Sequence, residues 1–179
     1  MATIPVYSVP SVTAGLPTPA VKHRPFKALN PVFIMTSIKD FMTVDHRHCD
    51  DFFAESEQAV AAQAWDRAGA AFGSFQAAMQ HHFAAEEELL FPAFELKSGM
   101  TMGPTQVMRV EHAQMRELMA AAQASLLAKD ADDYAGNAET LLIMMQQHNM
   151  KEEQVLYPMC DEQLKDQMAT LLLQLQQAL

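Results

Sequence analysis

A histidine is followed four residues later by a glutamate at two places in the chain, His82 with Glu86 and His148 with Glu152. Residues four apart lie on one face of an α-helix, so the imidazole and the carboxylate can reach the same point. The two pairs are separated by 66 residues (148 − 82). Imidazole and carboxylate together bind divalent metals, so this spacing predicts a metal site on two helices.

Two further histidines obey the same offset, because His46 and His112 are also 66 residues apart (112 − 46), each preceded by an acidic residue. The chain therefore contains an internal repeat, and each half supplies two histidines and one glutamate. In an apolar core, the charge of the glutamates and the lone pairs of the imidazoles need a partner, and a pair of divalent cations would provide it. The predicted metal ligands are His46, His82, Glu86, His112, His148 and Glu152.

The ligand set contains no thiolate, and imidazole with carboxylate suits iron, manganese or zinc. Two glutamates shared between two metals leave each ion with fewer than the six ligands of an octahedral ion. Open positions for water or a small molecule favour redox-active iron over a closed structural zinc. We therefore expect two non-haem iron ions, with zinc and manganese as the alternatives.

Helices must position these side chains, and the apolar periodicity predicts four long helices followed by a shorter one. The predicted helices cover residues 36–63, 66–99 with a kink at Pro92, 104–128, 133–157 ended by Pro158, and 161–177. Long helices with short connections are typical of an up-down-up-down four-helix bundle. The repeat implies an approximate two-fold axis that places His46 and His82 on one side and His112 and His148 on the other.

The predicted organisation is all-α, with an N-terminal arm at residues 1–31, a bundle at 32–160 and a C-terminal amphipathic helix at 161–179. The arm is dense in proline, which blocks helix, so we expect it to be extended. It is either disordered or a strap that packs on the bundle or on a neighbour. The arm and the last helix both carry apolar residues, and this allows a homodimer.

The formal net charge of −10 argues against a nucleic-acid partner. We find neither a signal peptide nor an apolar stretch of the ~20 residues that span a bilayer, so we expect a cytoplasmic protein. Cys49 and Cys160 can in principle pair, but a reducing cytoplasm would keep them free.

The order of these motifs resembles the hemerythrin-like, HHE cation-binding family. The resemblance covers about residues 36–160 and is carried by Asp45-His46-Arg47, His82-xxx-Glu86 with Leu90-Phe91-Pro92, Glu111-His112, and His148-xxx-Glu152 with Leu156-Tyr157-Pro158. It implies a four-helix bundle around a non-haem di-iron centre held by the six residues named above.

The chain departs from the oxygen carriers of that family, which have a fifth histidine four residues after the one on the third helix. Arg116 stands at this position, and its guanidinium stays protonated and cannot bind a metal. The equivalent residue in the first half, Asp50, either supplies an additional ligand or pairs with Arg116. The missing histidine argues against reversible oxygen carriage.

The resemblance implies a protein that binds or senses a diatomic molecule such as O2 or NO, that handles iron, or that repairs iron centres in stressed cells. A second hypothesis is an enzyme that activates O2 or peroxide, with Tyr157 and Asp50 as the nearby proton donors. A third is a metal-free interaction module in which the histidines form a buried polar network.

Some neighbouring polar residues lie off the predicted ligand face. His48 and His81 point away from it, and His23 lies in the arm. Glu87 and Glu153 point about 100° from the ligand glutamates, so they either support the ligands or are solvated.

Overall fold

A computed structural model describes residues 37–179, and this part of the chain is helical and contains no β-strand. The α-helices are α1 (Ile38–Ala61), α2 (Trp65–Ala85), α3 (Phe91–Ser98), α4 (Pro104–Ala128), α5 (Ala131–Lys151), α6 (Tyr157–Gln163) and α7 (Met168–Ala178). Two π-helical turns, π1 (Glu86–Leu90) and π2 (Glu152–Leu156), join α2 to α3 and α5 to α6. The predicted all-α fold is confirmed, whereas the arm at residues 1–31 lies outside the described residues.

The bundle consists of two helical pairs. Helix α1 packs along α2, α4 packs along α5, and contacts of α2 with α4 and of α1 with α5 join the pairs. Helix α7 is the extra C-terminal helix, and it packs against α1, α2 and π1. None of the described helices is long and apolar enough to cross a membrane.

The apolar interior is divided into two clusters. One cluster contains Phe53, Phe72 and Phe75, and the other contains Leu90 and Phe94. The histidines lie between the two clusters, because along α1 and along α4 each histidine separates residues of one cluster from residues of the other. The metal-ligand candidates therefore form a polar layer with apolar packing above and below it.

Capping side chains and one proline set the starts of three helices. The amide of Asp40 donates to Ser37 Oγ at 3.0 Å, so Ser37 caps α1 close to its predicted start at residue 36. Pro104 is the first residue of α4, as predicted. Helix α5 begins two residues before its predicted start, because Asp130 accepts from the amide of Asp133 at 3.0 Å and caps it.

The prediction that Pro158 ends the fourth long helix was wrong. The Tyr157 amide donates to the carbonyl of Glu152, five residues back, and the widened turn lets a proline without an N–H follow in the first turn of α6. The second helix passes Pro92 in the same way through π1 and resumes as α3 up to Gly99, as expected.

The start of the last helix was also predicted wrongly. Residues 161–163 are the end of α6, and α7 begins only at Met168 after a turn. Cys49 and Cys160 are both free and buried, and they belong to different apolar clusters. Burial raises the pKa of the Cys49 thiol to about 12.

Removal of a core ring should destabilise the bundle strongly. Phe75 is fully buried and packs against Phe53 and Phe72, with ring centroids 5.1 and 5.5 Å away and the rings tilted by 58° and 49°. The Phe75→Ala substitution should lower the free energy of unfolding by about 3–5 kcal/mol in urea titrations. Leu96→Ala is the control, because Leu96 is 88% exposed, and it should change this free energy by less than about 0.5 kcal/mol. Equal effects would contradict the core assignment.

Candidate metal centre

The structure brings the four repeat-related histidines together as two pairs. The Nε2 atoms of His46 and His82 are 3.2 Å apart, and those of His112 and His148 are also 3.2 Å apart. All four side chains are buried. Each pair takes one histidine from each of two adjacent helices, α1 with α2 and α4 with α5, as the two-fold relation of the repeat requires.

The two fully buried glutamates connect the histidine pairs. Glu152 Oε2 is 3.2 Å from His46 Nε2, and Glu152 Oε1 is 3.1 Å from His148 Nε2. Glu86 Oε2 is 3.2 Å from His112 Nε2 and 3.5 Å from His82 Nε2. Each carboxylate therefore contacts one histidine of each pair. Sequence reasoning placed these six residues together, and their role as metal ligands remains a prediction.

The π-helical turns begin at the two glutamates. Glu86 is the first residue of π1 and Glu152 the first residue of π2, so the backbone widens directly after each carboxylate. Such turns inside α-helices are frequent at functional sites. Sequence reasoning missed them, although both copies end in an aromatic residue followed by proline, Phe91-Pro92 and Tyr157-Pro158.

A second ring of carboxylates, Asp45, Glu87, Glu111 and Glu153, holds the outer nitrogen of each histidine; we call these the outer carboxylates. Asp45 Oδ2 is 2.8 Å from His82 Nδ1, and Glu111 Oε2 is 3.0 Å from His148 Nδ1. Sequence reasoning recognised Asp45 and Glu111 as part of the repeat but gave them no role. The acid before each α1 or α4 histidine supports the histidine of the neighbouring helix.

The other two outer carboxylates, Glu87 and Glu153, were predicted either to support the ligands or to be solvated, and the structure distinguishes the two. Glu153 Oε1 is 2.8 Å from His46 Nδ1, and Glu87 Oε1 is 2.7 Å from His112 Nδ1. They therefore support the histidines and are not simply solvated. A carboxylate that accepts from Nδ1–H leaves the lone pair of Nε2 free, and this lone pair points inward toward the other ligands.

Two of the outer carboxylates, Glu87 and Glu111, accept hydrogen bonds from basic residues. Arg116 donates two hydrogen bonds to Glu87, at 3.0 and 3.1 Å, and Lys151 donates to Glu111. Burial alone would raise the pKa of Glu87, but the hydrogen bonds from Arg116 and His112 outweigh it and lower this pKa. Arg116 therefore engages Glu87, and Asp50 is exposed and stands outside the cluster of buried ligands in residues 37–179.

The buried carboxylates attract positive charge to the cluster. Burial lowers the pKa of His46, but hydrogen bonds and charges from Glu152, Glu153 and Glu86 outweigh it and raise this pKa to about 9. The histidines reciprocally lower the pKa of Glu152 well below its usual range, against the effect of burial. An inward lone pair that binds a proton this strongly is also a strong position for a metal cation.

Two further observations fit a cation. Within residues 37–179, the buried oxygens Glu86 Oε2 and Glu152 Oε1 have no hydrogen-bond donor when the neighbouring histidines carry their proton on Nδ1, which is costly for a carboxylate unless a cation lies nearby. Potential ligand atoms within 4.8 Å of one another form two groups in the described residues. One group contains Glu86, His112, His148 and Glu152, and the other contains His46, His82 and Glu152.

The remaining candidates lie where the helical register predicts. His48 and His81 are exposed and face away from the cluster, and His23 lies outside the described residues. Tyr157 is fully buried, and its hydroxyl lies among the ligand candidates. Several methionines lie within one helical turn or two of the ligand candidates: Met144 is half-buried, and the buried ones are Met42, Met79, Met108, Met115, Met119 and Met145.

Comparison with known proteins agrees with this geometry. The family model for the hemerythrin HHE cation binding domain matches residues 37–160. No match was found among curated proteins or among solved structures. The matched residues begin at the cap of α1, include all six ligand candidates and end inside α6, so they leave out α7.

Removal of an outer carboxylate should weaken metal binding without removal of a ligand. Asp45→Asn takes away the charged acceptor of His82 Nδ1–H, and the loss should lower metal affinity about 10–100-fold in chelator competition. Asp50→Asn is the matched control, because Asp50 lies on the same helix and is exposed. The metal affinity of this variant should equal that of the wild-type protein. Equal affinity of the two variants would show that Asp45 does not orient the site.

Proposed function

The chain belongs to the hemerythrin HHE cation-binding family, and on this premise we propose that it holds two iron ions and binds a diatomic molecule, O2 or NO, there. The main support for the proposal is that four buried histidines form two pairs, and two buried carboxylates connect these pairs. His46 and His82 would hold one ion, and His112 and His148 the other. Glu86 and Glu152 would bridge them.

Two ions are supported by the way in which Glu152 divides its oxygens. Oε2 faces His46 and Oε1 faces His148, so the two oxygens of one carboxylate point to different histidine pairs. A carboxylate in this arrangement can contribute one oxygen to each of two cations. A single ion would leave one histidine pair with its lone pairs facing each other and uncompensated.

Iron is supported by the chemistry of the donor set. Imidazole and carboxylate without thiolate suit iron, and zinc and manganese remain the alternatives. Iron at this position would supply a reversible change of oxidation state and an open coordination position for O2 or NO. Buried methionines belong to the apolar clusters on both sides of the ligand layer, and this apolar packing keeps water away from it.

The outer carboxylates and their basic partners prepare the site. They fix the tautomer of each histidine and keep its Nε2 directed inward, so the ligands need little rearrangement to bind a metal. Arg116 contributes to this framework through Glu87 at the position where oxygen carriers have a fifth histidine. We therefore propose ligand sensing or iron handling, as in stress response or iron-centre repair, in preference to oxygen carriage.

A metal-free helical module explains the same residues less well. A buried polar network of this kind would satisfy its members by hydrogen bonding. Within residues 37–179, however, one oxygen each of Glu86 and Glu152 faces the Nε2 lone pair of a histidine whose Nδ1–H already bonds to an outer carboxylate. The cost of such an oxygen disappears when a cation lies beside it.

Loss of one inward histidine should remove metal and ligand binding together. His82→Ala and His148→Ala should each lower the iron bound per chain and abolish the spectral change that NO causes in anaerobic iron-loaded protein. His48→Ala should keep both, because His48 is exposed. An empty site in His48→Ala with a filled site in His82→Ala would contradict the assignment.

Metal should also stabilise the folded chain, since only the folded chain assembles the six ligands. Free iron at a thousandfold excess over Kd adds about 4 kcal/mol, which corresponds to a rise in Tm of about 10 °C for a chain of this size. Differential scanning calorimetry before and after chelation measures the change. A Tm that is the same before and after chelation would contradict a metal site that only the folded chain forms.

A further inference from the structure

The two halves of the cluster differ at one aromatic residue. Tyr157 and Phe91 are separated by 66 residues (157 − 91) and are therefore equivalent in the repeat. The Tyr157 ring lies 5.7 Å from the His46 ring at 30°, and the Phe91 ring lies 5.9 Å from the His112 ring at 20°. The two rings occupy equivalent places beside equivalent histidines. The chemical difference between these two aromatic neighbours is one hydroxyl group.

The Tyr157 hydroxyl lies among the ligand atoms of one histidine pair. It is 3.2 Å from His46 Nε2, 2.8 Å from Glu86 Oε1 and 2.9 Å from Glu152 Oε2. A phenol has one proton, so it can donate to only one of these acceptors at a time. When His46 is neutral and donates from Nδ1 to Glu153, the other close contacts are between lone pairs and are unfavourable unless a cation lies among them.

These separations are the ones that a shared metal ion would impose. Ligand atoms bound at about 2.1 Å on adjacent corners of an octahedron lie about 3 Å from each other. His46 Nε2 is 3.2 Å from His82 Nε2, from Glu152 Oε2 and from the Tyr157 hydroxyl. The phenol oxygen therefore stands in the same relation to this group as the other candidate ligands do.

The two histidine pairs also differ in how the buried glutamates are placed beside them, and this difference supports a role for Tyr157 as a ligand. The group around His112 and His148 contains both buried glutamates, whereas the group around His46 and His82 contains only Glu152. Glu86 lies nearer to the first group, with Oε2 3.2 Å from His112 Nε2 and 3.5 Å from His82 Nε2, and its other oxygen, Oε1, accepts from the Tyr157 hydroxyl on the side of the second group. Phe91 offers no oxygen on the opposite side.

We propose that Tyr157 is a further protein ligand of the ion held by His46 and His82, in addition to the bridging carboxylates, so that the two metal positions are chemically different. This inference rests on the proposed di-iron site. The phenol O–H bond breaks when the oxygen binds iron(III), and its proton leaves to solvent without a change in any oxidation state. One ion then has a hard anionic oxygen ligand that its neighbour lacks.

The test is the phenolate-to-iron(III) charge-transfer band of the full iron-loaded chain, with iron content measured in the same samples. The wild-type protein should show the band in visible absorption, and resonance Raman excitation within it should show tyrosinate ring modes. Tyr157→Phe should abolish the band and weaken binding of one of the two ions about tenfold or more. The equivalent place in the repeat already accommodates a phenylalanine, so this variant should fold.

Two further variants serve as controls. Tyr134→Phe should leave the band unchanged, because Tyr134 lies in the other apolar cluster and shares a hydrogen bond of 3.0 Å with Ser56. The double variant with Tyr157→Phe and Phe91→Tyr should regain a band, since it transfers the hydroxyl to the site of His112 and His148.

The outcomes separate this inference from the proposed function. Two irons per chain without a phenolate band, or a band that survives Tyr157→Phe, would overturn the role of Tyr157 and leave the di-iron site intact. A chain that binds no metal would overturn both.

Discussion

Glu86 and Glu152 are ionisable carboxylates with no exposed surface, and the residues around them are arranged to compensate their buried charge. A buried carboxylate is stable only where positive charge or hydrogen bonds compensate it. Four imidazoles surround these two groups, and an outer ring of carboxylates directs the lone pairs of the imidazoles inward. The apolar clusters on either side exclude water and thereby strengthen every charge interaction in this layer.

The internal repeat explains the approximate two-fold symmetry of this polar layer. A few features differ between the two halves and make them chemically unequal. The inner histidines and glutamates and the outer carboxylates all occur in equivalent pairs. Tyr157 and Phe91 break the equivalence inside the site. Helix α7 breaks it outside, because it covers α1, α2 and π1 of the first half. A scaffold of two similar halves can thus present two unequal metal positions.

The sequence predicted the inner cluster because helical periodicity and the 66-residue offset together fix which side chains share a face. It could not predict that Asp45 reaches the histidine of the adjacent helix, since that contact depends on the distance and rotation between two helices. The π-helical turns also escaped prediction. Pro158 normally ends a helix, and only the hydrogen bond from Tyr157 back to Glu152 shows how the chain continues.

We propose that the two histidine pairs hold two metal ions bridged by the buried carboxylates. Anomalous diffraction from crystals of iron-loaded protein, with data above and below the iron absorption edge, would locate these ions. We expect two iron peaks, one beside His46 and His82 and one beside His112 and His148, with Glu152 between them. A single peak, or iron bound only at the protein surface, would contradict this proposal.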